Sequence, residues 1–447
     1  MSDIILVNGL ILTDPANGHA VPHGMTVISG DRLTQVNVSK EEIPENCAAI
    51  DCSDCLIIPG LINCHTHAAM SLFRGLADDL PLETWLNNYI FPSETRHAGP
   101  EFVYLGTKLS AVEMALGGIT TFADGYFHME QAARATIEVG LRAVVAQGIL
   151  DVPTPDCPVP GAWNSRVEKF LSTFPGNSLI SPSLFCHSAY LCGPDTLLAV
   201  QRICSEHGIL LFTHVSETVW EVEEISRKYG ARPIEHLANI GILKKGLVAV
   251  HTIHLTDREK QLLAQSGAAA VHCPEANMKL ASGAAQTQDL LNLGVVVGLG
   301  TDGPASNNNL DLFEEMRSAS LMGKLISGNP QSMSARTVLN MATTGGAKAL
   351  GMEDRIGALK PGKKADVAIV ALDRPHLTPL YDPISHLVYS AKASDVRDVI
   401  VNGEVIVRQG RIMTVDAAEL RAQVRAMAAD ISKDLSIMNQ GAVTRDD

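Results

Sequence analysis

The 447 residues are 46% apolar and carry a formal net charge of −14. That is enough chain to bury one large core and a smaller second one, under a surface that repels phosphate backbones and so excludes nucleic acid as a natural partner. No apolar run reaches the roughly 18 to 20 residues that span a membrane, and residues 1–9 hold acidic Asp3 with no basic stretch ahead of a hydrophobic one, so no membrane anchor or secretory leader is expected. The odd count of nine Cys then reads as reduced thiols in a cytoplasmic chain. Association into a homo-oligomer is left open.

Ile5-Leu6-Val7, Asn8-Gly9 and Leu10-Ile11-Leu12 predict strand, tight turn and strand. Val399-Ile400-Val401, Asn402-Gly403 and Val405-Ile406-Val407 repeat the pattern near the other end. A lone hairpin is marginal, so residues 1–57 and 353–415 are predicted to build one small β-sandwich together. Between them, over 58–352, eight apolar, mostly β-branched runs alternate with helix-like segments rich in Ala, Leu and Glu. They lie near 56–63, 118–123, 143–148, 180–185, 209–213, 248–250, 269–271 and 295–299. Eight such units predict an α/β fold, a (β/α)8 TIM-type barrel, with an open doubly wound sheet as the alternative. Residues 416–438 place Ala, Leu, Val and Met at helical spacing and read as an outer amphipathic helix, with 439–447 a frayed tail.

His65 and His67 end the first run two residues apart, so in a strand both imidazoles face one side. A His-x-His pair alone is a weak signal in a chain with 15 His. His187, His214, His251, His272 and Asp302 strengthen it, because each stands at or just past a different predicted strand end, and in a barrel those ends converge on one face. Imidazole nitrogens with a carboxylate suit Zn(II) best, and Fe(II) or Mn(II) next. Such an ion lowers the pKa of a bound water from 15.7 to about 7. Glu217, three residues after His214, is close enough to shuttle that water's proton, although it also suits the first turn of the next helix. His251 directly ends its run and is preferred over His254 for catalysis.

Pro59-Gly60-Leu61-Ile62-Asn63-Cys64-His65-Thr66-His67, His214-Val215-Ser216-Glu217 and Gly300-Thr301-Asp302-Gly303 resemble the amidohydrolase superfamily, in its mononuclear aminohydrolase branch. The resemblance spans nearly the whole chain, with 357–366 similar to the return from barrel to sandwich. It implies one divalent ion on His65, His67, His214 and Asp302, since Leu184-Phe185-Cys186-His187 lacks the Lys that bridges two ions in binuclear members. Residues 71–82, Trp85, Phe91-Pro92-Ser93-Glu94 and residues 277–283 resemble the 5′-methylthioadenosine/S-adenosylhomocysteine deaminases. That likeness implies hydrolytic deamination at C6 of an adenine nucleoside, a small-molecule substrate. Glu217 would deliver a proton to N1 while His251 and Asp302 manage the water proton. Trp85 would cover the adenine or thioether side, Glu94 would accept the ribose hydroxyls and His187 would contact the nucleoside. His187-Ser188-Ala189-Tyr190 departs from the family's His-Ala-Pro-Tyr, so the loop after His187 is expected to differ in shape.

Family members that use S-adenosylhomocysteine well resemble one another in an Arg at the end of the third barrel strand. Here Gln147 stands there, and a neutral amide cannot form the bidentate, charge-assisted pair of an Arg with a carboxylate. Gln147 is therefore expected to favour 5′-methylthioadenosine, with Arg166 the residue that could restore the charge. Deamination of guanine or dechlorination of an s-triazine is the alternative chemistry, and Glu217 favours deamination because ammonia needs a proton to leave. A non-catalytic interaction protein on this scaffold would be marked by lost ligands, and every one is present.

Overall fold

The computed structural model describes residues 3–15, 20–38, 48–174 and 176–443. The chain opens with β1 (Ile4–Leu12), β2 (Ala20–Ser29), β3 (Arg32–Val38), β4 (Ala48–Asp51) and β5 (Cys55–Pro59). Eight further strands follow: β6 (Leu61–Thr66), β7 (Ile119–Tyr126), β8 (Arg142–Ile149), β9 (Ile180–Ser188), β10 (Leu211–Val215), β11 (Leu247–His251), β12 (Ala269–His272) and β13 (Val297–Leu299). The strands β14 (Val367–Ala371), β15 (Val396–Val401), β16 (Glu404–Arg408) and β17 (Arg411–Ile412) come last.

β6 to β13 pair in parallel and in chain order, with helices between them. β13 comes round to β6, where the Asp302 N–H donates to the His65 carbonyl at 3.1 Å and Asn63 Nδ2 to Thr301 Oγ1 at 2.8 Å. This is the predicted (β/α)8 barrel. Its strands are buried on both faces, which is why they read as short apolar runs rather than as alternating ones. Ile62, Ala123, Val144, Ala146, Phe185, Phe212, Val248, Val250 and Val271 form the inner core. Ala143 and Val145, which alternate with Val144 and Ala146 on β8, pack instead into the larger core under the helices.

The other nine strands join both chain ends in one continuous sheet ordered β17-β16-β15-β14-β5-β1-β2-β3, with β4 beside β1. The sheet curls on itself: the Leu33 N–H in β3 donates to the Lys363 carbonyl at 2.9 Å, just ahead of β14. The two layers of the expected sandwich are thus one folded sheet around Leu6, Ile11, Ile28, Ile57, Val367 and Ile400.

Three expectations are corrected. The two Asn-Gly pairs behave differently: Asn402-Gly403 makes the expected tight hairpin between β15 and β16, but Asn8-Gly9 is a bulge inside the single strand β1. There β1 exchanges one parallel partner for another, pairing with β4 at residues 4–7 and with β5 at Leu10 and Ile11. A side chain at Gly9 would press on Cys52 and Ile57, so glycine serves close approach here. The run at 56–63 is two strands in two sheets, broken at Gly60, where a Cβ would collide with Thr120. The C-terminal helix runs Ala417–Val443, through part of the expected tail, and residues 444–447 lie outside the described ones. No helix among the described residues is long and apolar enough to cross a membrane, and the eight described cysteines are free thiols.

Candidate active site and metal centre

At the carboxyl ends of the barrel strands opens a cavity of about 230 Å³, lined by His67, His187, His214, Glu217, His251 and Asp302 among others. Its roof is a helical stretch, Leu82–Trp85, a π turn Leu86–Ile90 and Phe91–His97. Leu82, Trp85, Leu86, Ile90, Phe91 and Glu94 of that stretch face the cavity, a spacing that repeats on one helical face.

His65 is the hub of the polar cluster. Its Nε2 lies 3.4 Å from Asp302 Oδ1 and 3.4 Å from His214 Nε2, while His67 Nε2 lies 3.5 Å from the same Asp302 oxygen. Ligands held tetrahedrally at 2.0–2.1 Å from a zinc ion stand about 3.3–3.4 Å apart, so these atoms are spaced as a metal would space them. His251 also joins, because one ligand atom from each of His65, His214 and His251 falls within 4.8 Å of the others, as it does for His65, His67 and Asp302. Burial drives the His65 imidazole down to about 4 and that of His214 well below its usual range, which keeps both rings neutral and able to ligate. His214 Nδ1 is buried and has no hydrogen-bond partner among the described residues. His67 Nδ1 lies 2.6 Å from the Gly125 carbonyl, an arrangement that protonates Nδ1 and leaves Nε2 as the free lone pair. Asp302 accepts from Ser306 Oγ at 2.6 Å through its second oxygen. Burial alone would raise its pKa, but the hydrogen bond from His65 and the charges of His67, His251 and His65 hold it far below the carboxylate range. Imidazole nitrogens and a carboxylate at these spacings fit a divalent ion.

Glu217 and His251 stand together beside this cluster, with Glu217 Oε2 at 3.8 Å from His251 Nε2. Burial raises the Glu217 carboxyl, partly opposed by His251. Burial would lower His251, but Glu217 and Asp302 outweigh it and raise its pKa. Both shifts favour the protonated form of the group, so each can carry a proton beside the cluster. His254 instead meets the Ser282 carbonyl at 2.7 Å, and His272 is buried away from the cavity lining.

Trp85, Glu94 and His187 all line the cavity. Glu94 accepts a hydrogen bond from Tyr126 Oη at 2.7 Å, a partner outside the predicted second run, which ends at residue 123, three short of the end of β7. Gln147, expected to meet the substrate, is not among the described residues that line the cavity. Val144, Ala146 and Gly148 face the barrel interior, so Gln147 points outward by strand alternation, with Nε2 2.8 Å from Asp156 Oδ2. Arg166 does not restore a charge to the site either, since it pairs with Asp156 at 3.3 Å and with Glu130 and does not line the cavity.

The chain matches the model of the amidohydrolase family over residues 56–406. It is 42% identical over 433 residues to a 5-methylthioadenosine/S-adenosylhomocysteine deaminase of Syntrophobacter fumaroxidans, covering 96% of this chain and 98% of that one. It is 39% identical over 441 residues to a 5′-deoxyadenosine deaminase of Methanosarcina mazei, covering 96% and 99%. Among solved structures, an adenosine deaminase from Xanthomonas campestris with bound zinc superposes with a TM-score of 0.94 at 34% identity, over 97% of this chain and 99% of that one. With the barrel, the strand-end histidines and these matches in agreement, the chain belongs to the amidohydrolase family and, within it, to the 5-methylthioadenosine/S-adenosylhomocysteine deaminases.

Proposed function

We propose that this protein is a metal-dependent hydrolase that deaminates adenine nucleosides at C6, acting best on 5′-methylthioadenosine and also on S-adenosylhomocysteine or adenosine. The carrying observation is the meeting of buried His65 with His67, His214, Asp302, Glu217 and His251, the last five of which line a cavity whose wall presents the Glu94–Tyr126 pair. His65, His67, His214 and Asp302 would hold one divalent ion, zinc by the donor set, which would supply the Lewis acidity that makes water acidic enough to attack at neutral pH.

Glu217 takes the first water proton on its carboxylate and gives it to N1 of the ring as the oxygen bonds to C6. His251 Nε2, beside Glu217, hydrogen-bonds the attacking oxygen, and Asp302 takes its second proton and passes it to the leaving amine. Water is consumed, ammonia departs and the inosine analogue remains. Glu94 accepts the ribose hydroxyls, Trp85 covers the thioether side and His187 contacts the nucleoside. The deciding assay follows ammonia release from 5′-methylthioadenosine, adenosine, guanine and an s-triazine, with bound metal measured on the same sample. Turnover of guanine or the triazine without any adenine nucleoside would overturn this reading.

A further inference from the structure

Two helices of this barrel open with the same four-residue signature and use it differently. The helix Asp257–Ser266 starts from Thr256, whose hydroxyl accepts the Glu259 N–H at 3.3 Å while Glu259 reaches back to the Thr256 N–H at 2.9 Å. This is a closed capping box. The helix Val219–Tyr229 starts from Thr218, which likewise accepts the Glu221 N–H at 3.1 Å. Glu221, however, sends its carboxylate past the cap: Oε1 accepts the Ser216 N–H at 2.9 Å and Oε2 the Glu217 N–H at 2.8 Å. Its side chain is buried, with 2% of the residue exposed.

The two amides it binds lie at a demanding junction. Ser216, His251 and Thr252 all have positive φ, at 53°, 71° and 47°, in the left-handed region that residues with a side chain seldom adopt. Such conformations persist where their surroundings hold them. The Ser216 carbonyl accepts the N–H groups of Ile253 and His254 at 3.1 and 3.0 Å, and the Thr252 N–H donates to the Val215 carbonyl at 3.0 Å. The loop bearing Glu217 and the loop following His251 are therefore stitched together at Ser216, and the Glu221 carboxylate grips that stitch from below.

We propose that Glu221 is a positioning residue for the reaction, fixing Glu217 through its own amide and the His251 loop through Ser216. This rests on the reading of Glu217 as the proton shuttle. A glutamine of the same shape tests it, since its amide oxygen can accept from one N–H while its NH2 group must face the other donor.

Glu221→Gln is expected to lower kcat by about tenfold or more, the scale seen on loss of an orienting partner, with the KM for 5′-methylthioadenosine and the metal content within about twofold of the parent. Because Glu221 acts through Glu217, the Glu217→Gln/Glu221→Gln double variant is expected to be no slower than Glu217→Gln alone. A merely structural loss would instead multiply through both backgrounds. Where the glutamine variant does not fold, Glu221→Asp draws the carboxylate back by one methylene and is read by the same cycle. Unchanged kcat in the Glu221 variant, or independent multiplication in the double, overturns the positioning role while leaving Glu217 as the shuttle. Unchanged kcat in Glu217→Gln itself overturns the shuttle reading and this inference with it.

Discussion

His251 Nδ1 lies 2.9 Å from Asn277 Oδ1, in a pocket where both residues are 1% exposed. The amide oxygen can only accept, so this contact protonates Nδ1 and leaves Nε2 as the nitrogen that faces Glu217. Removing it with Asn277→Ala leaves the imidazole free to change tautomer. We expect kcat to fall roughly 10- to 100-fold with metal content intact, and parental turnover in that variant would show that the tautomer is set elsewhere.

In the proposed site the ion would depend on Asp302 and on His214. Asp302→Ala and His214→Ala each remove one of four ligands, and both are expected to lose metal and activity together. Metal analysis on the purified variants decides the matter, since full occupancy with normal turnover would refute the ligand assignment.

Burial pushes the Glu94 carboxyl up to about 7, and the Tyr126 hydrogen bond pulls it the other way. The ionised form is acceptor-only and accepts ribose hydroxyls more strongly than the neutral acid. As pH falls through about 7 the ionised fraction falls, so kcat/KM for 5′-methylthioadenosine is expected to drop on the acid side. Tyr126→Phe removes a donor that favours the charged form, which raises the Glu94 pKa and moves this limb to higher pH. A limb at the same pH in both proteins would separate it from Glu94.

No Lys or Arg is among the described residues lining the cavity, whose walls include Leu82, Leu86, Phe91, Leu150 and Val152. A homocysteine carboxylate finds no cation there, whereas a methylthio group meets an apolar wall. We expect a higher kcat/KM for 5′-methylthioadenosine than for S-adenosylhomocysteine. Because Gln147 faces away from the cavity, Gln147→Arg is expected to disrupt its contact with Asp156 rather than narrow that gap. Preference for S-adenosylhomocysteine in a direct competition assay would contradict this account.

Arg142 joins the barrel to the curled sheet. Its guanidinium grips Asp366 at 2.8 and 3.0 Å with side-chain exposures of 1% and 3%, and Asp366 also accepts the Asn402 N–H at 2.8 Å. Arg142→Ala strands a buried carboxylate, a loss of about 3–5 kcal/mol, to be read as a lower urea unfolding midpoint. An unchanged midpoint would mean that water replaces the guanidinium.

The barrel was legible in the chain because strands buried on both faces must be apolar along their whole length, so eight runs marked eight strands. His65, His67, His214, Glu217, His251 and Asp302 were legible for a related reason, since the end of each run is where a barrel collects its chemistry. Gln147 shows the limit of that rule. Standing at a strand end is not enough, because the alternation of the pleat decides which side a residue faces, and one position separates Gly148 in the cavity wall from Gln147 outside it. Asn8-Gly9 and Asn402-Gly403 are the same dipeptide, yet only the second is a hairpin. Local preference permits both outcomes, and β1 runs straight because β4 and β5 supply consecutive partners along it. Thr218 and Glu221 carry the same signature as Thr256 and Glu259, and only the packing of the two loops at Ser216 sends one carboxylate to the catalytic junction. Burial periodicity and residue chemistry are properties of the chain, whereas the partner of a given hydrogen-bonding group depends on which distant segment arrives beside it.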